Sequence, residues 1–146
     1  MGSVGLIGCG QIGGRIAGVL RRAGVRVRAF DLDPARVAAA GAEPVARPAD
    51  LADESVVLLS LPASAQVEAV LEGDGGLLAA APAGLLVIDL TTADPASTRA
   101  LQARAAARGV GLVDAGVTGG AAAAERGELV VLVGRAPADG PRAVAG

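Results

Sequence analysis

Short runs of Val, Leu and Ile alternate along the chain with longer runs rich in Ala and Arg. The apolar, β-prone runs predict strands at 3–8 (SVGLIG), 25–30 (VRVRAF), 55–61 (SVVLLSL), 85–90 (LLVIDL), 110–114 (VGLVD) and 128–133 (ELVVLV), with a weaker one at 43–46. Several are continuously apolar, the pattern of parallel strands covered on both faces. Helices are predicted between them. Residues 11–23 place Ile12, Ile16, Val19, Leu20 and Ala23 on one face, and Gly24 is suited to end that helix in the left-handed conformation. Residues 34–40 open with Pro34 after Asp33, a cap followed by a first-turn proline. Residues 63–72 carry Val67, Val70 and Leu71; residues 95–108 follow Asp94, begin with Pro95 and stop at Gly109. Strand–helix alternation predicts an α/β fold with a doubly wound, mostly parallel sheet flanked by helices. No repeat or linker interrupts it. The Ala runs at 38–40, 105–107 and 121–124 read as compositional bias, and 134–146 as a frayed tail.

The first strand runs into VGLIGCGQIG, where Gly8, Gly10 and Gly13 fit G-x-G-x-x-G and enclose Gln11 and Ile12. The first glycine permits a tight turn, the second lets backbone approach a pyrophosphate, and the third lets helix and strand pack closely. The helix start then offers free N–H groups and a partial positive charge to phosphates. Glycine is common in this chain, so the motif alone says little; its context adds more. Asp31 ends the second strand, where a carboxylate accepts hydrogen bonds from the adenosine ribose. These features together predict a Rossmann-type dinucleotide site. A carboxylate there repels a 2′-phosphate, so NAD is favoured; Arg36, close by, keeps NADP as the alternative.

Composition narrows the chemistry. The chain of 146 residues is long enough for one domain with one core. A net charge of −2 and Phe30 as the single aromatic residue leave no footprint for nucleic acid. No leader and no membrane span are expected, and the single Cys9 fits a reducing, cytoplasmic compartment. There is no His, Lys, Tyr or Trp, and all 13 basic residues are Arg. That excludes Ser–His and Cys–His catalysis, a histidine metal centre and a lysine proton donor within the chain. Short-chain dehydrogenase chemistry, which needs Tyr and Lys, is excluded too. An S-adenosylmethionine site usually sets an acid before the glycines, where this chain has Leu6 and Ile7.

Three more segments, 61–71 (LPASAQVEAVL), 89–95 (DLTTADP) and 114–120 (DAGVTGG), follow in order. With the glycine turn and a final strand ending in Val-Gly, the set resembles the β-hydroxyacid dehydrogenases, the group that includes 3-hydroxyisobutyrate dehydrogenase and 6-phosphogluconate dehydrogenase. The resemblance runs from residue 4 to Gly134. It implies that Leu61, Pro62, Thr91 and Thr92 line the nicotinamide half of the cofactor. It implies that Thr118, Gly119 and Gly120 hold the carboxylate of a small hydroxy acid. Ile12 stands for the usual Met, Thr118 for Ser, and Gly116 for Pro, which is expected to loosen the loop before the substrate motif. Four alanines at 121–124 replace a more Gly-containing segment.

The resemblance also implies a second, helical domain bringing a catalytic Lys, much of the substrate pocket and the dimer contacts. The chain is therefore expected to divide into a cofactor domain at 1–134 and, at 135–146, the beginning of a link to that domain. No catalytic residue is assigned within it: Asp114 and Glu125 are expected to be carboxylates rather than proton donors unless deeply buried. Cofactor binding without turnover is the expected behaviour of the chain alone. The alternatives are a non-catalytic NAD(H)-binding or redox-sensing module, the N-terminal domain of an imine or pyrroline-type reductase, and docking to a separate helical domain.

Overall fold

A computed structural model describes residues 2–134; the predicted tail at 135–146 lies outside the described residues. The elements run β1 (Ser3–Ile7), α1 (Gly13–Arg22), β2 (Arg26–Phe30), α2 (Pro34–Ala39), β3 (Glu43–Pro44), a 3₁₀ turn (Pro48–Leu51), β4 (Val56–Leu59), α3 (Ser64–Glu72), α4 (Leu77–Ala80), β5 (Leu86–Asp89), α5 (Pro95–Ala106), β6 (Gly111–Thr118), α6 (Gly120–Arg126) and β7 (Val130–Val133). They form one seven-stranded sheet in the order β3-β2-β1-β4-β5-β6-β7. All pairings are parallel except β6 with β7. The doubly wound, Rossmann-type sheet is therefore present.

Each face of the sheet has its own core. Leu6, Val27 and Ala29 pack with Ala17 of α1 and Val37 of α2 on one side. Ile7, Val57, Leu59 and Val87 pack with Val67 and Leu71 of α3, Leu77 of α4 and Leu101 of α5 on the other. The deepest face of α1 differs from the one its large residues predict. Gly13 and Ala17 are buried, Ile16, Val19 and Leu20 are half-buried, and Ala23 is exposed. Small residues let the helix axis lie close to the sheet, so the larger side chains flank the contact line. Asp33 and Asp94 do cap their helices, accepting from the Ala35 and Ser97 amides at 3.0 and 2.9 Å.

Two expectations change towards the C-terminal side. The alanines at 121–124 form most of α6, which packs on α1 and ends at Gly127 in the left-handed conformation (φ 71°). Alanine is the strongest helix former, so a run read as bias is an element. The loop expected after Asp114 is strand instead: β6 continues to Thr118 because Ala115 to Thr118 pair with β7. Gly116 sits opposite Leu132 in that ladder, so it does not loosen a loop. The 3₁₀ turn and α4 lack a pattern strong enough to have been predicted.

At the amino edge of the sheet Glu54 is buried. It accepts from Ser3 Oγ at 2.6 Å and from Arg28 Nη1 at 3.0 Å. This knot ties β1 and β2 to the turn before β4 and is far from the opposite edge, where ligands of such sheets bind. Core and edge differ sharply in what truncation costs. Leu101→Ala should destabilise the chain by about 2–5 kcal/mol. Leu132→Ala, on exposed β7, should change stability by less than about 0.5 kcal/mol. Urea unfolding midpoints measure both.

Candidate functional site

The sheet order places β1 between β2 and β4, so successive strands are added on opposite sides of β1. The crevice at the carboxyl ends of these three strands is the topological switch point. A cleft of about 1100 Å³ opens there, and Gly8, Gly10, Gln11, Ile12, Asp31, Leu61 and Pro62 all line it.

The turn from β1 into α1 forms its floor. Gly8 has φ 99°, and a Cβ on it would collide with the Ser60 carbonyl oxygen. A Cβ on Gly13 would collide with the Gly8 carbonyl oxygen, so helix and strand touch through backbone alone. Above Gly10 the space is open: a Cβ there would meet only Arg36 Nη1, at 3.9 Å. The α1 N-terminus has no side-chain cap and no acidic residue in its first turn. Helices α2 and α5 are capped by aspartates, whereas α3, α4 and α6 share with α1 the lack of a side-chain cap; α1 is the one whose start adjoins the glycine turn of the cleft. The amides and positive dipole end of α1 therefore face the cleft without an internal anion.

Asp31 stands beside this turn with its carboxylate fixed. Oδ2 accepts from the Cys9 amide and Oδ1 from the Asp33 amide, each at 2.8 Å. Both oxygens keep lone pairs for further donors. Burial, and then the charge of Asp31, pushes the Cys9 thiol up to about 11, so it is a neutral thiol at pH 7. Arg36 reaches over the glycine turn with its Nε 3.9 Å from Asp33.

Leu61 and Pro62, following β4, form a second wall. Leu61 N donates to Thr91 Oγ1 at 3.0 Å, and Thr91 N donates to Asp89 Oδ1 at 2.9 Å. Thr91 is 3% exposed, so it lies beneath the cleft rather than on its lining. Thr92 is exposed and also outside the lining. Asp89 is 1% exposed; burial pushes its carboxyl above the ordinary range, with the neighbouring Asp114 adding to this and the Thr91 hydrogen bonds opposing it.

Thr118, Gly119 and Gly120 do not line this cleft either. Thr118 ends β6, four residues beyond the Asp89–Asp114 pairing and roughly 13 Å along an extended strand, and Gly119 and Gly120 follow it into α6. The cleft instead includes Gln66, Ala69, Val70 and Gly73, none of which is among the expected site residues. Gln66, Ala69 and Val70 mark one stripe of α3, beside the core stripe of Val67 and Leu71, and Gly73 follows the end of the helix.

A glycine turn under an uncapped helix, with a fixed acid at the next strand end, is the architecture of a dinucleotide-binding α/β domain. Residues 3–144 match the family described as the NAD binding domain of 6-phosphogluconate dehydrogenase. The chain is 40% identical over 139 residues to 2-(hydroxymethyl)glutarate dehydrogenase of Eubacterium barkeri, covering 92% of this chain and 46% of that protein. The solved structure of Mycobacterium tuberculosis 3-hydroxyisobutyrate dehydrogenase superposes with a TM-score of 0.83 at 30% identity, over 92% of this chain and 46% of the other. An imine reductase of Streptomyces aurantiacus gives 0.70 at 28% identity, over 80% and 41%. The chain belongs to the NAD-binding domain family of 6-phosphogluconate dehydrogenase, among the β-hydroxyacid dehydrogenases. It spans about half the length of the curated relatives it matches. No helix among the described residues is long and apolar enough to cross a membrane.

Two outcomes follow from this geometry. Gly13→Ala should destabilise the chain by about 1–3 kcal/mol by forcing α1 off β1. Gly18→Ala, in the same helix but facing only the flexible end of Arg22, should stabilise it by about 0.5–1 kcal/mol. Urea midpoints separate the two. The second concerns Asp89, whose folded pKa lies above its ordinary value of 3.8. Between those values the folded chain holds a proton that the unfolded chain has lost, so this group's contribution to stability falls as pH rises through that window. The difference in stability between the parent and Asp89→Asn should therefore shift against the parent as pH rises, measured by urea unfolding across the acidic range.

Proposed function

We propose that the chain is the cofactor-binding half of an NAD-dependent oxidoreductase acting on a small 3-hydroxy acid, and that alone it binds cofactor without turnover. The observation that carries this is the uncapped start of α1 beneath the open space at Gly10, with Asp31 held rigidly alongside. The residues present fit the cofactor. The pyrophosphate rests on the turn from Gly8 to Gly13, including the backbone at Gln11 and Ile12, and Asp31 accepts from the adenosine ribose hydroxyls. Leu32 and the α3 stripe flank the adenine side. Leu61 and Pro62, supported by Thr91 and followed across the sheet by Thr92, frame the nicotinamide side. When bound, the nicotinamide supplies the hydride acceptor or donor.

Asp31 disfavours a 2′-phosphate, which supports NAD over NADP, with Arg36 as the group that would accommodate the phosphate. The successive left-handed glycines after Thr118, at φ 118° and 72°, turn backbone amides outward and support a carboxylate site at Thr118, Gly119 and Gly120. That site lies beyond the cofactor cleft, and the chain has no lysine to deliver a proton. A helical second domain, joined beyond 134 or supplied separately, would complete both. The exposed apolar residues of β7 (Val130 to Val133, 48–67% exposed) support such a covering partner. The unpaired, neutral thiol of Cys9 fits a reducing, cytoplasmic setting. The hydroxy-acid reading is preferred to imine reduction because the relatives of higher identity are named as dehydrogenases of hydroxy acids.

NADH fluorescence provides the test, since the chain has no Trp or Tyr to obscure it. NADH should bind with a dissociation constant below the millimolar range. Asp31→Ala should weaken NADH by about ten-fold or more, the scale of a lost charge-assisted hydrogen bond, and NADPH by less. Equal losses for both would overturn the cofactor preference. Hydroxy-acid-dependent NADH production by the chain alone would overturn the assignment of binding without turnover.

A further inference from the structure

Asp89 is the most deeply buried carboxylate among the described residues, and it enters no ion pair there. Its neighbour across the β5–β6 ladder is Asp114, of the same charge. An unpaired carboxylate at a strand end is costly and contributes nothing to packing that an apolar residue would not supply better. Its partners lie in one place. It accepts from the Thr91 amide at 2.9 Å, and the Thr91 side chain adjoins it. The Thr91 oxygen in turn accepts from the Leu61 amide, so its hydroxyl proton is the one free to point to Asp89. Pro62, next in the chain, has no N–H of its own. The Leu61 amide is thus the tie at the cleft wall; Leu90 N to Leu59 O at 2.8 Å and Asp94 N to Ser64 Oγ at 2.7 Å join the same two segments on either side of it.

Leu61 and Pro62 line the cleft, and Leu61 Cδ2 lies 3.1 Å from where a Cβ on Gly8 would stand. A dinucleotide with its adenosine ribose at Asp31, above β2, and its pyrophosphate on α1 must carry its second nucleotide across β1 towards β4 and β5. That nucleotide meets the Leu61 wall.

We propose that Asp89 is a positioning residue for the nicotinamide half of the site: through the Thr91 hydroxyl it orients the Leu61 amide and so sets the wall at Leu61 and Pro62, touching neither cofactor nor substrate. This rests on the dinucleotide reading above. The ligands that test it are NADH and ADP-ribose, which shares every part of NADH except the nicotinamide ring. Binding to the 146-residue chain is followed by calorimetry, with circular dichroism to confirm folding. Asp89→Asn and Thr91→Val should each weaken NADH by about five-fold, the scale of one hydrogen bond. ADP-ribose affinity should stay unchanged, and Thr91→Ser, which keeps the hydroxyl, should restore NADH affinity. Thr91→Val preserves shape, so it carries the test even if Asp89→Asn unfolds. Equal weakening of both ligands, unchanged NADH affinity, or failure of Thr91→Ser to restore it would overturn the proposal. Absence of ADP-ribose binding by the unaltered chain would instead remove the dinucleotide reading on which it rests.

Discussion

The close approach of α1 to the end of β1 governs the geometry of the whole carboxyl edge. Gly13 lies so near the Gly8 carbonyl that no side chain fits between them. The turn is also bonded to both neighbouring strands: Gly8 N donates to Phe30 O and Ser60 N to Ile7 O, each at 2.9 Å. The first turn of α1 is consequently held over three strand ends by backbone contacts. Side-chain rotamers have little part in it, so the direction of the helix dipole and of the free amides is fixed before any ligand arrives. Asp31 is fixed by the same means, since its carboxylate bonds to amides of that turn and of its own loop. The site is thus built largely from main chain, which suits a ligand recognised by phosphates and hydroxyls rather than by bulk.

The two edges of the sheet handle charge in opposite ways. At the amino edge the acids have cationic partners: Arg28 bonds Asp53 and Glu54, and Arg26 bonds Glu43. These guanidiniums hold the Glu43 and Asp53 carboxyls below their ordinary range, but both acids are exposed and water screens the effect. At the carboxyl edge Asp31 and Asp89 are met by backbone amides instead of arginines. A cation at either position would sit where the proposed ribose or nicotinamide wall must be.

The sheet was legible because its strands are short, apolar and punctuated by glycine, and because Asp33-Pro34 and Asp94-Pro95 announce their helices. The cofactor turn was legible because a close backbone approach leaves a glycine spacing behind. What escaped the sequence reading depended on contacts made far along the chain. Thr118 joins a strand only because β7 pairs with it. The α3 stripe at Gln66, Ala69 and Val70, with Gly73 after it, faces a cleft whose opposite wall, Leu32, follows β2. Thr91 is expected from the resemblance to line the cofactor, yet its oxygen is taken up by Leu61, 30 residues earlier. Local pattern identifies an element; the partner that decides which face is buried is not local.

That division also separates the two halves of the proposed site. The proposed cofactor half draws on residues close to the ends of β1, β2, β4 and β5, and several of its groups bond to one another. The proposed substrate half sits at the far end of β6, on a ladder whose outer strand exposes side chains from consecutive positions and therefore on both faces. Among the described residues this strand is hydrogen-bonded on one side only and its side chains are exposed, so it is the part of the sheet least able to hold a residue to catalytic tolerance unaided. A chain with this distribution of rigidity can fix a dinucleotide while leaving a hydroxy acid unplaced. The two functions of the longer relatives would then divide along the boundary between β5 and the outer end of β6, where backbone contacts within this chain give way to uncovered apolar surface.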